Sequence, residues 1–211
     1  MSSAPALATD GLTLTRGTRT LFSTLSFAVK SGEALTLRGA NGSGKTSLLR
    51  VLAGLTAADA GRVSWRGRAV APFDKTRAAE ALYIGHANGV KDELTALENL
   101  TDTLAFDGLS LTPDALSAAL THVGLHAQAN LPARRLSQGQ KRRIGLAHLS
   151  LCQKSLWLLD EPTNALDREG IALFASLVDS HLARGGLACI ATHVDLTLAA
   201  SARVLDLSAG A

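Results

Sequence analysis

Residues 39–46 contain a motif typical of nucleotide-binding loops: Gly39-Ala40-Asn41-Gly42-Ser43-Gly44-Lys45-Thr46. This is the pattern G-x-x-x-x-G-K-T, and the apolar runs at 35–37 and 47–52 on either side predict a strand before the loop and a helix after it. The glycines let backbone N–H groups turn inward around a polyphosphate, and a helix that begins near Lys45 directs its positive dipole end at the same charge. We therefore predict that this loop binds ATP, with Lys45 at the terminal phosphates and the Thr46 hydroxyl on Mg²⁺.

Length and composition predict one large globular domain. The chain has 211 residues, of which 46% are hydrophobic and 18% charged, with a formal net charge of +3. This charge is too small to indicate a nucleic-acid partner, and the apolar excess points to contact with another protein chain. No apolar run approaches the roughly 18 to 20 residues that cross a bilayer, and residues 1–9 lack the features of a secretion signal. We expect residues 1–9 to form a mobile tail.

Cysteine and histidine are sparse, and most of them are expected to have structural roles. Cys152 and Cys189 lie in apolar surroundings, which favours buried thiols in a reducing compartment over a disulfide. His122 and His126 have the spacing of one helical face and could ligate a metal, but we interpret them as an ordinary surface pair.

The order of patterns along the chain predicts an α/β fold of the phosphate-loop NTPase (RecA-like) type in a single domain, 1–211. Residues 10–86 and 154–211 would form its ATP-binding core, with an antiparallel β region at the start and a buried parallel sheet. Residues 87–153 would form an inserted helical subdomain, because they contain three helix-start signals and no convincing strand. Those signals are Thr95-x-x-Glu98, Thr112-Pro113 and Ser137-x-x-Gln140. Further helices are expected near 44–55, from Asp167 to about Arg184, and near 195–200.

Two acids follow the apolar run at residues 156–159. Ligands of open α/β sheets bind at the carboxyl ends of the strands, where the phosphate loop also lies. Asp160 is therefore expected to face Mg²⁺ through water, and Glu161 to accept a proton from the attacking water. Two acids alone would equally well be a solvated strand end, so this prediction depends on the phosphate loop.

The segment Leu136-Ser137-Gln138-Gly139-Gln140 narrows the class of protein. Ser137 and Gln140 form a predicted capping box, and a serine hydroxyl beside a helix N-terminus also suits an anion. The segment matches the pattern L-S-x-G-Q, and here the chain resembles the ATP-binding cassette family over about residues 11–207.

This resemblance implies roles for residues outside the phosphate loop. In that family the signature segment of one protomer closes over the ATP held by the phosphate loop of another, in a head-to-tail homodimer. Carried over, the metal ligand matches Asp160, the catalytic glutamate Glu161, and the histidine that senses the γ-phosphate His193. The loop facing the dimer partner matches Asn164-Ala165-Leu166-Asp167.

Two positions depart from the family pattern. Eleven residues before Phe27, where an aromatic residue usually stacks on adenine, this chain has Arg16, whose guanidinium can also lie flat on a base. Where the family has glutamine after the strand at 82–85, this chain has His86, whose charge varies near neutral pH.

His86 and residues 83–100 resemble a narrower group, the ATP-binding components of the bacterial cytochrome c maturation system, described as haem exporters. This resemblance implies a membrane-embedded permease of the same system as partner, and a peripheral location on the cytoplasmic face of the inner membrane. One alternative is the ATPase component of another small transporter. The other is a soluble cassette ATPase that acts on nucleic acid or ribosomes, supported only by the basic clusters at 134–135 and 141–143.

Overall fold

The computed structural model of the protein describes residues 6–86 and 89–207, and their contacts divide the chain into two compact units. The sheet unit comprises Met1–Gly85, Lys154–Pro162 and Val178–Ala211. The helical unit comprises His86–Gln153 and Thr163–Leu177, so its ranges include residues 87–153 and a later segment.

Strands and helices are interspersed along the chain. The strands are β1 Leu7–Arg16, β2 Arg19–Val29, β3 Ala34–Arg38, β4 Ala60–Trp65, β5 Arg68–Val70, β6 Ala81–Ile84, β7 Leu156–Asp160, β8 Leu187–Ala191 and β9 Ala202–Asp206. The α-helices are α1 Lys45–Ala53, α2 Lys75–Glu80, α3 Ala96–Phe106, α4 Pro113–His122, α5 Gln138–Leu151 and α6 Arg168–Ala183.

The sheet unit contains two sheets. One is antiparallel with the order β2-β1-β4-β5, and the other is parallel with the order β6-β7-β8-β3-β9. Every residue of β7 and β8 is buried, which explains their near-continuous apolar sequence. Side chains from both sheets and from α1 form one apolar core. The parallel core with an antiparallel β region confirms the predicted fold class.

Three helices of the helical unit, α3, α4 and α5, begin at side-chain N-caps. Thr95 and Ser137 each form a complete capping box with the glutamate or glutamine three residues later, and the Thr112 side chain accepts a hydrogen bond from Ala115 N. Helices α3 and α4 both pack against α5. Of the helices that the structure describes, none is long and apolar enough to cross a bilayer.

Two local predictions were wrong, and one short helix was missed. Residues 195–200 are not helical, because the N–H groups of Ala199 and Ala200 donate to the Asp179 carboxylate (3.0 and 3.1 Å) instead of to a helical turn. Residues 7–9 do not belong to a mobile tail, because Leu7 already pairs with Val29 on one side and with Trp65 on the other. Helix α2 was not predicted, although its N-cap, Asp74, accepts a hydrogen bond from Arg77 N as a helix start requires.

Candidate functional site

The phosphate loop joins β3 to α1. Gly44 adopts φ +100° at the N-cap of α1, and a Cβ there would come within 3.2 Å of the Leu21 Cβ, so the start of β2 packs closely on the loop. The Lys45 ammonium is buried and donates hydrogen bonds to the carbonyls of Gly39 (2.7 Å) and Ala40 (3.2 Å). These contacts hold the Lys45 cation against the backbone of residues 39 and 40. Thr46, at the start of α1, is exposed.

The ends of three neighbouring strands lead into Asp160, Glu161, His193 and the phosphate loop at one edge of the parallel sheet, whereas Arg16 ends β1 of the antiparallel sheet. Strands β7, β8 and β3 are adjacent and parallel, so their carboxyl ends lie side by side. β7 ends at Asp160, β8 leads into His193, and β3 leads into the phosphate loop. Nucleotide ligands bind at such an edge in open α/β sheets.

Asp160 is a buried carboxylate. The residue is 2% exposed, and its Oδ2 atom has no hydrogen-bond partner among the described residues. Its charge acts on Tyr83 of β6: burial first, and then the Asp160 charge, raise the pKa of the Tyr83 hydroxyl. A buried carboxylate oxygen of this kind suits a hard divalent cation such as Mg²⁺, so the residues present fit the metal that the sequence predicts.

Glu161 and His193 contact each other. Glu161 has a positive φ of 51°, and its N–H donates to the carbonyl of Ala191 (2.8 Å), so its backbone is held in an uncommon conformation at the end of β7. Its Oε1 atom lies 3.1 Å from His193 Nε2. The glutamate side chain is 10% exposed and the histidine side chain 55% exposed, so the pair joins a buried acid to an accessible imidazole.

Arg38, the last residue of β3, ties the loop after β8 to this edge. Its Nη2 atom forms an ion pair with Asp195 Oδ1 at 2.5 Å and donates to the carbonyl of Val194 at 3.5 Å. Because Gly39 follows Arg38 directly, this contact couples the position of the His193 loop to that of the phosphate loop.

Arg19 is a further candidate site residue, which the sequence motifs did not indicate. It begins β2 and pairs across the hairpin with Arg16. A Cβ on Gly42 would lie 3.5 Å from Arg19 Nη1, so the Arg19 guanidinium stands beside the phosphate loop. The signal in the sequence was the R-x-x-R spacing of residues 16–19, which places both arginines at the end of one hairpin.

In the helical unit, the signature segment contacts the predicted dimer-facing loop. Gly139 approaches that loop so closely that a Cβ there would lie 2.8 Å from the Ala165 carbonyl oxygen. The Arg142 Nε atom donates to the carbonyl of Asn164 (3.4 Å), and Arg143 Nη2 contacts both carboxylate oxygens of Asp167 (2.8 and 3.1 Å). The first turns of α5 therefore position residues 164–167.

His86 also contacts α5. Its carbonyl accepts a hydrogen bond from Arg142 Nη2 (3.4 Å), and the residue itself is exposed. Residues 87 and 88 lie outside the described residues. The predicted site residues thus form two groups. The phosphate loop, Arg16, Asp160, Glu161 and His193 belong to the sheet unit, and the signature segment, residues 164–167 and His86 belong to the helical unit.

Comparison with known sequences identifies related proteins. The family profile for ABC transporters matches residues 22–164. A protein of Cupriavidus necator named "Cytochrome c biogenesis ATP-binding export protein CcmA" is 47% identical over 97% of this chain and 89% of its own length. Proteins with the same name from Methylococcus capsulatus and Aromatoleum aromaticum are 46% and 45% identical, each over 99% of this chain and over 100% and 98% of their own lengths.

Solved structures with the same fold are more distant in sequence. An ABC transporter ATP-binding protein from Pyrococcus furiosus superposes with a TM-score of 0.81 at 19% identity, over 94% of this chain and 96% of that one. An ATP-binding subunit of another ABC transporter gives a TM-score of 0.78 at 24% identity, over 90% of this chain and 80% of that one. At these identities the comparison establishes the fold.

Proposed function

Because the chain belongs to the ABC transporter family of ATPases, we propose that it is the ATP-hydrolysing component of an export complex that acts in cytochrome c biogenesis. The observation that carries this proposal is the match to three relatives of that name, at 45–47% identity over nearly the whole of both chains. The residues that ATP binding and hydrolysis require lie at one sheet edge: the phosphate loop, the acids at the end of β7, and His193.

The hydrolytic step takes place at the edge formed by β7, β8 and β3. The Lys45 ammonium stabilises the negative charge of the terminal phosphates as the bond to the leaving group breaks. Glu161 accepts a proton from the attacking water, a role that typically contributes about 10² to 10⁴ in rate. His193, 3.1 Å from Glu161 Oε1, orients that carboxylate and contacts the γ-phosphate.

Mg²⁺ is the proposed metal cofactor. Thr46 and Asp160 would hold it, Asp160 through water, since hydroxyl and carboxylate oxygens are the ligands that this ion prefers. When bound, Mg²⁺ neutralises part of the charge on the phosphates. The buried Asp160 Oδ2 atom supports this assignment, because it has no hydrogen-bond partner among the described residues.

Two copies of the chain are needed for a complete site. We place the signature segment of one copy, residues 136–140, over ATP held by the phosphate loop of the other, in a head-to-tail homodimer. The Ser137 N-cap presents a hydroxyl and a helix N-terminus to the phosphates. Residues 164–167, which α5 holds through Arg142 and Arg143, would contact the second copy beside that site.

The membrane partner would be the membrane-embedded permease of the cytochrome c maturation system. The chain would then lie at the cytoplasmic face of the inner membrane as a peripheral component of the complex. His86, exposed and bonded through its backbone to Arg142, is the residue through which movements of that partner would reach the nucleotide.

The test is the Lys45→Ala variant in cells that lack the wild-type chain. We expect loss of covalent haem from c-type cytochromes, seen by haem staining of denatured membrane fractions, with haem proteins that lack a thioether bond unaffected. Lys75→Ala, at an exposed position on α2, is the matched control and should behave as wild type. Normal c-type cytochromes in a Lys45→Ala strain with confirmed expression would refute the role in cytochrome c biogenesis, while hydrolysis by the purified proteins tests the ATPase separately.

A further inference from the structure

The helical unit contains a cluster of three metal-binding side chains that the nucleotide chemistry does not use. Asp107 caps the C-terminus of α3, His148 lies in the last turn of α5, and Cys152 caps the C-terminus of α5. One ligand atom from each, a carboxylate oxygen, an imidazole nitrogen and the sulfur, lies within 4.8 Å of the other two. Among the described residues, this is the one group of three or more such side chains close enough to hold an ion.

The cluster is buried and already assembled. The side chains of His148 and Asp107 are 6% and 12% exposed, and Cys152 is 4% exposed. His148 and Cys152 are four residues apart at the end of one helix, so they project from the same side of α5. His148 Nε2 lies 2.6 Å from Asp107 Oδ2, which brings the end of α3 onto that side. Because the packing of α3 on α5 holds these groups together, little ordering is needed to bind an ion.

The donor types indicate which ion the cluster suits. Imidazole nitrogen and thiolate sulfur with one carboxylate are a set that Zn²⁺ and similar divalent transition ions prefer, whereas Mg²⁺ prefers oxygen ligands alone. With the thiol and carboxyl deprotonated and the imidazole neutral, the three side chains carry two negative charges. A divalent cation neutralises both, which offsets the cost of burying them.

The spacing requires only a small adjustment. Bonds of about 2.0 to 2.3 Å in tetrahedral geometry separate neighbouring ligand atoms by about 3.3 to 3.7 Å. The His148–Asp107 contact of 2.6 Å must therefore widen by about 1 Å, with the ion replacing the shared proton. Asp107 can make this movement because it ends α3 and begins the irregular segment at 107–112.

We propose that Asp107, His148 and Cys152 form a binding site for one divalent transition ion of the Zn²⁺ class, which joins the end of α3 to the end of α5. Asp107 is the partly exposed member, so its side provides the route of entry and the position for a water molecule as fourth ligand. The residues of this site belong to the helical unit, whereas those proposed for Mg²⁺ belong to the sheet unit.

Titration of the purified, metal-free and nucleotide-free chain with Co²⁺, which reports coordination by its absorption, tests this proposal. We expect one equivalent to bind with an intense sulfur-to-cobalt charge-transfer band, and Zn²⁺ to displace it. Since even outer-shell partners of metal sites are worth about 10- to 100-fold in affinity, Cys152→Ser should abolish the band and lower affinity by at least about tenfold. Added Zn²⁺ should raise the melting temperature of the wild type and not that of Cys152→Ser.

Variants elsewhere in the chain separate this site from other ligands. His193→Gln and His126→Gln remove exposed imidazoles outside the cluster and should leave the cobalt spectrum unchanged. His148→Gln should lose binding while circular dichroism shows that the helices remain. Absence of a charge-transfer band in the wild type, or a band that survives in Cys152→Ser, would overturn the proposal and leave the cluster as a hydrogen-bonded packing contact.

Discussion

His193 Nε2 lies 3.1 Å from Glu161 Oε1, and this contact joins the residues that follow two adjacent strands of the parallel sheet. The positive φ of Glu161 and the hydrogen bond from its N–H to Ala191 fix the direction of the carboxylate. A strained backbone held in this way is typical of positions where the side chain must point to a defined place. The backbone and the contact with His193 together give the Glu161 carboxylate a defined position.

Glu161→Gln should separate ATP binding from hydrolysis. The amide keeps the shape of the side chain but cannot accept the proton of the attacking water, so we expect turnover to fall by about 10² to 10⁴ with ATP affinity unchanged. Size-exclusion chromatography with ATP and Mg²⁺ should then show an accumulated dimer. Glu169→Gln, at an exposed position on α6, should have no such effect. Near-normal turnover in Glu161→Gln would exclude Glu161 as the base.

Arg19→Ala should weaken nucleotide binding. The Arg19 guanidinium stands beside Gly42 of the phosphate loop, where it can pair with a phosphate oxygen. A hydrogen bond between charged groups is worth about 1.5–3 kcal/mol, and because Arg19 is exposed we expect the lower end, about a tenfold rise in the ATP dissociation constant. A fluorescent ATP analogue would measure it. Arg68→Ala, at an exposed position on β5, is the control, and equal affinities for both variants would exclude a contact from Arg19.

Gly54→Ala should destabilise the sheet unit more than Gly67→Ala. The two glycines have nearly the same φ, +76° and +77°, but a Cβ on Gly54 would lie 1.9 Å from Arg77 Nη2, whereas a Cβ on Gly67 meets nothing within 4 Å. Arg77 cannot move freely, because it is 2% exposed and its guanidinium donates to the carbonyl of Ala71 (3.0 Å).

We expect Gly67→Ala to cost about 1–2 kcal/mol from its backbone conformation alone. The crowding at Arg77 should add about 1–3 kcal/mol for Gly54→Ala. Urea unfolding of both variants gives the comparison, and equal losses would show that Arg77 yields without cost.

His181 should make the protein less stable in mild acid. Burial against Trp157, whose ring stacks on the imidazole at 3.9 Å, lowers the pKa of His181 from 6.5 to about 4. The unfolded chain therefore binds a proton at a pH where the folded chain does not. Above about pH 6.5, His181 is neutral in both states and costs no stability. As the pH falls from about 6.5 to 4, this group lowers the free energy of unfolding by up to about 3 kcal/mol.

The comparison of wild type with His181→Phe isolates this effect, because the other titrating groups are common to both. The free energy of unfolding of His181→Phe should fall less between pH 7 and pH 4.5, while that of the exposed variant His122→Gln should follow wild type. Parallel pH profiles for wild type and His181→Phe would contradict the lowered pKa.

Local chemistry was enough to predict the elements that carry the motifs. The phosphate loop is predicted by the glycines next to Lys45, and the starts of helices are predicted by capping boxes such as Thr95 with Glu98. The buried strands are predicted by unbroken apolar runs such as 156–159. Each of these signals acts within a few residues, so it does not require the rest of the fold. Where a distant group competed, the local signal failed: the Asp179 carboxylate takes the N–H groups that residues 195–200 would need for a helix.

The sequence by itself therefore determined the fold class, the phosphate loop and the identity of the acids after β7. Only the tertiary structure decided which side chains meet. The order β7-β8-β3 brings His193 to Glu161, the β1–β2 hairpin brings Arg19 to Gly42, and the packing of α3 on α5 brings Asp107 to His148. The physical reason is that these contacts depend on burying apolar faces shared by elements far apart in the chain, and no local pattern contains that information.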